Sequence, residues 1–146
     1  MRSDILCTLL CAAGALMLAS SSRTAAEPTL TPMPTNAPSI TISSVPSDYP
    51  GEPLASRPIE GQVSGVNPAD VRVVIYALGD VYYVQPWFTR TFTSVKPDGK
   101  WSTTTHGGFE FVALLVKPSY RPKATLTELP RVGGDVLAMA RKKPGE

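Results

Sequence analysis

Residues 71–87 read VRVVIYALGDVYYVQPW. The first eight are dense in β-branched and aromatic residues, which suit a pleated, half-buried surface. Val71, Val73, Ile75 and Ala77 fall on one face of an extended chain. Gly79-Asp80 then supplies a short turn, and residues 81–87 return. Two strand-like runs separated by a two-residue Gly-containing turn predict a β-hairpin. No comparable segment of the chain carries apolar residues at helical spacing between caps.

The same period of two recurs on either side of the hairpin. SITISSV (39–45) places Ile40 and Ile42 on one face. PSDYPGEPLASRP (46–58) is a proline-rich loop, and IEGQVSGV (59–66) is a second strand. NPAD (67–70) is a turn signal. RTFTSV (90–95) and KWSTT (100–104) flank KPDG (96–99), where proline and Asp-Gly favour a reversal. FEFVALLV (109–116) is apolar on both faces, as a strand buried on both sides should be. ATLTELPR (124–131) suggests one helical turn, and DVLAMARK (135–142) is the last strand. Short strands separated by proline and glycine turns imply an all-β sandwich of seven to eight strands, immunoglobulin-like or transthyretin-like, over residues 39–143. Ile75, Trp101, Phe111 and Leu114 are the expected core.

The segment before residue 39 has a different character. Arg2 precedes the apolar run ILCTLLCAAGALMLA (5–19), and Thr24 and Ala26 stand at −3 and −1 of a cut before Glu27. This is the layout of a secretory signal peptide over 1–26. The run is shorter than the ~20 residues of a membrane span, so contact with a membrane is expected only if this segment stays uncleaved as an anchor. EPTLTPMPTNAP (27–38) holds four prolines and three threonines, a composition that favours an extended spacer. The chain is thus expected in a secreted or periplasmic, cell-envelope location. Cys7 and Cys11, the two cysteines of the chain, both lie inside the apolar segment. A chain cut after Ala26 keeps neither and forms no disulfide. Net charge is +2, too balanced to predict a nucleic-acid partner.

Taken in order, VSGVNPADVRVVIYA, VYYVQPW, VKPDGKWSTTTHGG, FVALLVKPSYRP and LPRVGGDVLA resemble a β-sandwich accessory module of bacterial secreted and envelope proteins. The Y-V-Q-P, D-G-x-W, T-H-x-G and A-L-L-V-x-P elements carry the resemblance, over about residues 40–140. Similar modules look like they occur beside carbohydrate-active enzymes and in surface proteins. The resemblance implies a fold much more than an activity.

The residues for catalysis are sparse. His106 is the one histidine. Pairing it with Ser102 and an orienting Asp98 or Asp135 matches no local signature of a nucleophile and base. GQVSG (61–65) puts its serine one place late for a nucleophile elbow, which also needs a helix. Glu60, Glu110 and Glu128 are the available carboxylates for glycoside hydrolysis, and sequence does not set their separation. One histidine and no cysteine after cleavage exclude the usual zinc sets, and the aspartates do not alternate as in a calcium loop. No cofactor, no metal and no enzymatic activity are expected. The aromatics say more. Tyr82 and Tyr83 must point to opposite faces of a strand. Trp87 ends the strand after Pro86, and Tyr120 sits between Pro118 and Pro122. Exposed rings suit the CH-rich face of a sugar and suit a protein contact equally, and the same rings also serve simply to close the ends of a sandwich. The candidate binding residues are therefore Trp87, Tyr83 and Tyr120, with Gln85, Arg90, His106 and Arg121 at the margin. The expected role is a binding module for carbohydrate or an envelope polymer. The alternative is a protein-interaction or structural subunit of the envelope. The C-terminal cations of ARKKPGE (140–146) read as a solvated chain end or as a weak attraction to anionic polymers.

Overall fold

A computed structural model describes residues 36–46 and 55–146. The expected signal peptide (1–26), most of the expected spacer (27–38) and residues 47–54 of the proline-rich loop lie outside them. Among the described residues the fold is all-β, with two antiparallel sheets and one 3-10 turn. The strands are β1 (Ser39–Ser44), β2 (Arg57–Ser64), β3 (Arg72–Leu78), β4 (Tyr82–Gln85), β5 (Thr93–Ser94), β6 (Lys100–Thr105), β7 (Phe111–Val116), β8 (Thr125–Leu126) and β9 (Val136–Lys142). The smaller sheet has the order β1-β2-β6. The larger has the order β8-β4-β3-β7-β9, with β5 paired to β3 beyond the end of β4.

The alternation read from the sequence sets the layers. Val73, Ile75 and Ala77 of β3, Phe111, Ala113 and Leu115 of β7 and Ala138 of β9 form one buried cluster with Ile40, Ile42, Ile59, Val63 and Trp101. The last five come from the smaller sheet, so the two sheets pack face to face through this core. The expected shared face from Val71 to Ala77 is part of it. Trp101 lies across β2 opposite Gly61, its register partner. A Cβ on Gly61 would meet the Thr41 carbonyl oxygen and come within 2.5 Å of Trp101 Cζ2. Glycine is therefore needed there for space.

The larger sheet is buried on its other face as well. Val74, Tyr76, Val84, Val112, Leu114, Val116 and Val136 form a second cluster, covered by Tyr120, Leu126, Leu129 and Met139. Most of this cover comes from the long β7–β9 connection, which folds back over the outer face. Tyr76 fixes it by donating its hydroxyl to the Lys123 carbonyl at 2.9 Å. Burial, above all, pushes the Tyr76 phenol far above its ordinary range. This double burial explains why FVALLV is apolar throughout.

Two elements differ from the sequence reading. The expected helical turn in 124–131 is instead β8, which pairs with β4 at Tyr82 and Tyr83. The expected strand over 90–95 shrinks to Thr93–Ser94. It also joins β3, while KWSTTT joins β2, so the KPDG turn carries the chain from one sheet to the other. The turn itself forms as expected, with Gly99 at φ 82° and its N–H donating to the Lys96 carbonyl. NPAD becomes a 3-10 turn capped by the Asn67 side chain. Among the described residues no helix is long and apolar enough to cross a membrane.

Candidate functional site

A three-stranded sheet cannot cover a larger one completely. β1 packs over β9 and β7, and β6 over β3. The side chains that β4 sends toward this inner side, in register with Ala77 and Ile75, are Tyr83 and Gln85. Beyond the cover of β6 they line a cleft of about 620 Å³. Pro86, Trp87 and Phe88, just past the end of β4, form part of its wall, and His106 and Gly107 enter from the end of β6. Trp87 is 57% exposed, Phe88 62% and Tyr83 42%. Three aromatic rings thus stand in solvent contact around one concave surface. Among the described residues the lining carries one carboxylate, Asp80, and no lysine or arginine.

The polar floor is ordered by Gln85. Its Oε1 accepts from the His106 backbone N–H at 2.9 Å and lies 2.9 Å from His106 Nδ1. Its Nε2 donates to the Tyr83 carbonyl at 3.3 Å. A backbone N–H can only donate, so the Gln85 atom facing it is the oxygen. An oxygen in that place obliges Nδ1 to carry the proton. The neutral ring then offers Nε2 as a bare acceptor. Nε2 is buried and has no hydrogen-bond partner among the described residues, an arrangement that costs about 1–3 kcal/mol. The Trp87 ring stands edge-on to the imidazole, with centroids 4.5 Å apart and planes at 63°.

At the other side of the cleft Tyr83 donates its hydroxyl to Asp80 Oδ1 at 2.7 Å. That bond holds the Asp80 carboxyl below the usual range and raises the Tyr83 phenol. It fixes the exposed ring across the β3–β4 turn.

The structure therefore brings together Tyr83, Gln85, Trp87 and His106. His106, expected at the margin, follows the end of β6 and is instead buried at the floor. Tyr120 and Arg121, expected beside the same ligand, lie elsewhere. Tyr120 packs on the outer-face cluster, where burial raises its phenol. The Arg121 guanidinium donates to the carbonyls of Pro118, Ser119 and Tyr120 and so braces its own loop. Arg90 borders a neighbouring groove with Phe92, Ser102 and Thr104. The sequence reading missed Phe88 and Asp80. The signal for Phe88 was the adjacent pair Trp-Phe after a strand end, which cannot turn both rings inward.

His106, Asp98, Asp135 and Glu110 each bond a group other than one another. The imidazole bonds Gln85, while Asp98 caps the Lys100 N–H and Asp135 accepts from Ser119. Glu110 accepts from the Tyr82 hydroxyl. Among the described residues no group of three or more His, Cys, Asp or Glu is placed to hold a metal ion. No family model, no curated protein and no solved structure gives a significant match to the chain.

Proposed function

We propose that this chain is an exported, non-catalytic binding module of immunoglobulin-like or transthyretin-like type, and that it takes carbohydrate in the cleft beside β4. A signal peptide over 1–26 and a proline-threonine spacer over 27–38 belong to this reading. The observation that carries it is the trio of exposed rings, Tyr83, Trp87 and Phe88, around one concave surface with a buried polar floor. Flat rings supply the apolar platform that the CH face of a pyranose needs. Convergent polar groups in a mostly apolar cleft are the usual form of a small-ligand site.

A panel of soluble and insoluble glycans tests this, with the chain starting at Glu27 as ligand binder. Retention on at least one neutral glycan is expected, and Trp87→Ala should reduce it by tenfold or more. No retention on any glycan removes the proposal. The second reading, a protein-interaction subunit, draws on the continuation of the exposed rings through Phe88 to Phe92. A fixed protein partner that co-purifies with the exported chain and is lost in Phe92→Ser, without glycan binding, would replace the first reading with this one.

A further inference from the structure

We propose that His106 Nε2 is a ligand-reading acceptor kept beneath Trp87, and that the bound sugar is a neutral one that donates a hydroxyl to it. This rests on the carbohydrate reading above and names the contact and the ligand class within it. Three observations converge. Gln85 fixes the proton on Nδ1, which leaves Nε2 an acceptor. Nε2 is buried and unpartnered among the described residues, and His106 lines the cleft. The neighbour stacked edge-on against that ring is Trp87, itself more than half exposed.

A buried acceptor without a donor raises the energy of the empty state, and a ligand that supplies the donor recovers it. An apolar ligand recovers nothing. Trp87 then has two duties: it seals the imidazole when the cleft is empty, and it swings aside to stack on the ring that replaces it. The charge of the lining narrows the ligand further. With the Asp80 carboxylate present and no lysine or arginine among the described lining residues, a uronate or phosphate meets a like charge and no cation there. Two polar groups of the cleft, Nε2 and the Asp80 carboxylate, accept hydrogen bonds and cannot donate them. A ligand rich in hydroxyl donors and free of negative charge fits both.

The test uses the chain from Glu27, with neutral oligosaccharides of glucose, mannose, galactose or N-acetylglucosamine and, in parallel, oligogalacturonate. Calorimetry gives affinities for wild type, Trp87→Ala, His106→Asn and His106→Gln. Asparagine keeps a donor near the Nδ1 position for Gln85 and removes Nε2; glutamine restores a polar atom near Nε2. Binding about tenfold weaker in His106→Asn and partly recovered in His106→Gln is expected, with uronate not bound. In wild type, the ¹⁵N resonance of His106 Nε2 should move on adding the sugar as it begins to accept a hydrogen bond. That reading stands even if a variant fails to fold. If wild type binds a neutral sugar and loses it in Trp87→Ala, while His106→Asn binds normally or the Nε2 resonance stays still, this inference fails and the carbohydrate reading survives. Binding of uronate alone overturns the ligand class. Absence of binding to every glycan overturns both.

Discussion

Gln85 shows how one side chain organises a site. It is 6% exposed, and its single oxygen receives two donors of His106, one from the backbone and one from the ring. Gln85→Leu keeps the shape and leaves both donors in a dry place. Each such orphan costs about 1–3 kcal/mol. Moving the ring proton to Nε2 relieves neither nitrogen, because Nε2 is itself buried without a partner among the described residues, so a total loss of about 2–6 kcal/mol is expected in urea unfolding. Tyr83→Phe is the useful contrast. It removes only the solvent-exposed bond to Asp80, and its unfolding midpoint should match that of wild type. A Gln85→Leu variant as stable as wild type would mean that Gln85 does not hold the imidazole. None of this was legible at residue 106 itself. THGG reads as a loop, and the burial of its histidine depends on a glutamine 21 positions earlier.

At the scale of elements, strands reveal their faces more readily than their partners. The alternation in VRVVIYAL and SITISS placed Val73, Ile75, Ile40 and Ile42 in the core, and the unbroken apolar run of FVALLV marked a strand covered on both sides. Period two carries no information about which strand lies alongside. Hence β5 and β6, adjacent in sequence, join different sheets. β8 was illegible for another reason. Two residues make no pattern, and Thr125–Leu126 is extended because the exposed edge of β4 offers it hydrogen bonds, as does the Ala124 carbonyl that accepts from Val84 N–H at 3.0 Å. Glycine 61 was visible, but its reason was not: β1, β2 and the Trp101 indole meet there at a separation no Cβ permits. Gly61→Ala should therefore cost about 3 kcal/mol, at the upper end for overpacking, and should shift Trp101 fluorescence as the indole is displaced. Gly79→Ala, whose Cβ would find Tyr83 Cε2 at 3.4 Å as its nearest neighbour, should be tolerated. Equal unfolding midpoints for the two variants would refute the close approach of β2 to Trp101.

For the whole molecule, the larger sheet is the layer on which everything else rests. Its inner face holds the second sheet and leaves β4 free to build the cleft, while its outer face is closed by the β7–β9 connection. The two roles are coupled through β4, because Val84 faces the outer cluster while Tyr83 and Gln85 face the cleft. The cover over the outer face thus supports the floor of the site from behind. Tyr76 reports on that cover. Its phenol ionises in the unfolded chain near pH 10 and resists ionisation in the folded one, where burial first and the neighbouring Tyr120 second raise its range. Above pH 10 the unfolded state therefore holds fewer protons than the folded state. Stability is fully present below that pH and falls as pH rises, by about 1.4 kcal/mol per pH unit for one such group. Tyr82, Tyr83 and Tyr120 shift in the same direction and add to the slope. Unfolding of wild type and Tyr76→Phe, followed in urea from pH 8 to 11, should give stabilities that converge as pH rises. The variant starts lower, having lost the bond to the Lys123 carbonyl, and then declines less steeply than wild type. Parallel curves would show that Tyr76 ionises freely in the folded protein and that the outer face is open to water. In that case β4 would lose the support that holds Gln85 and His106 in place.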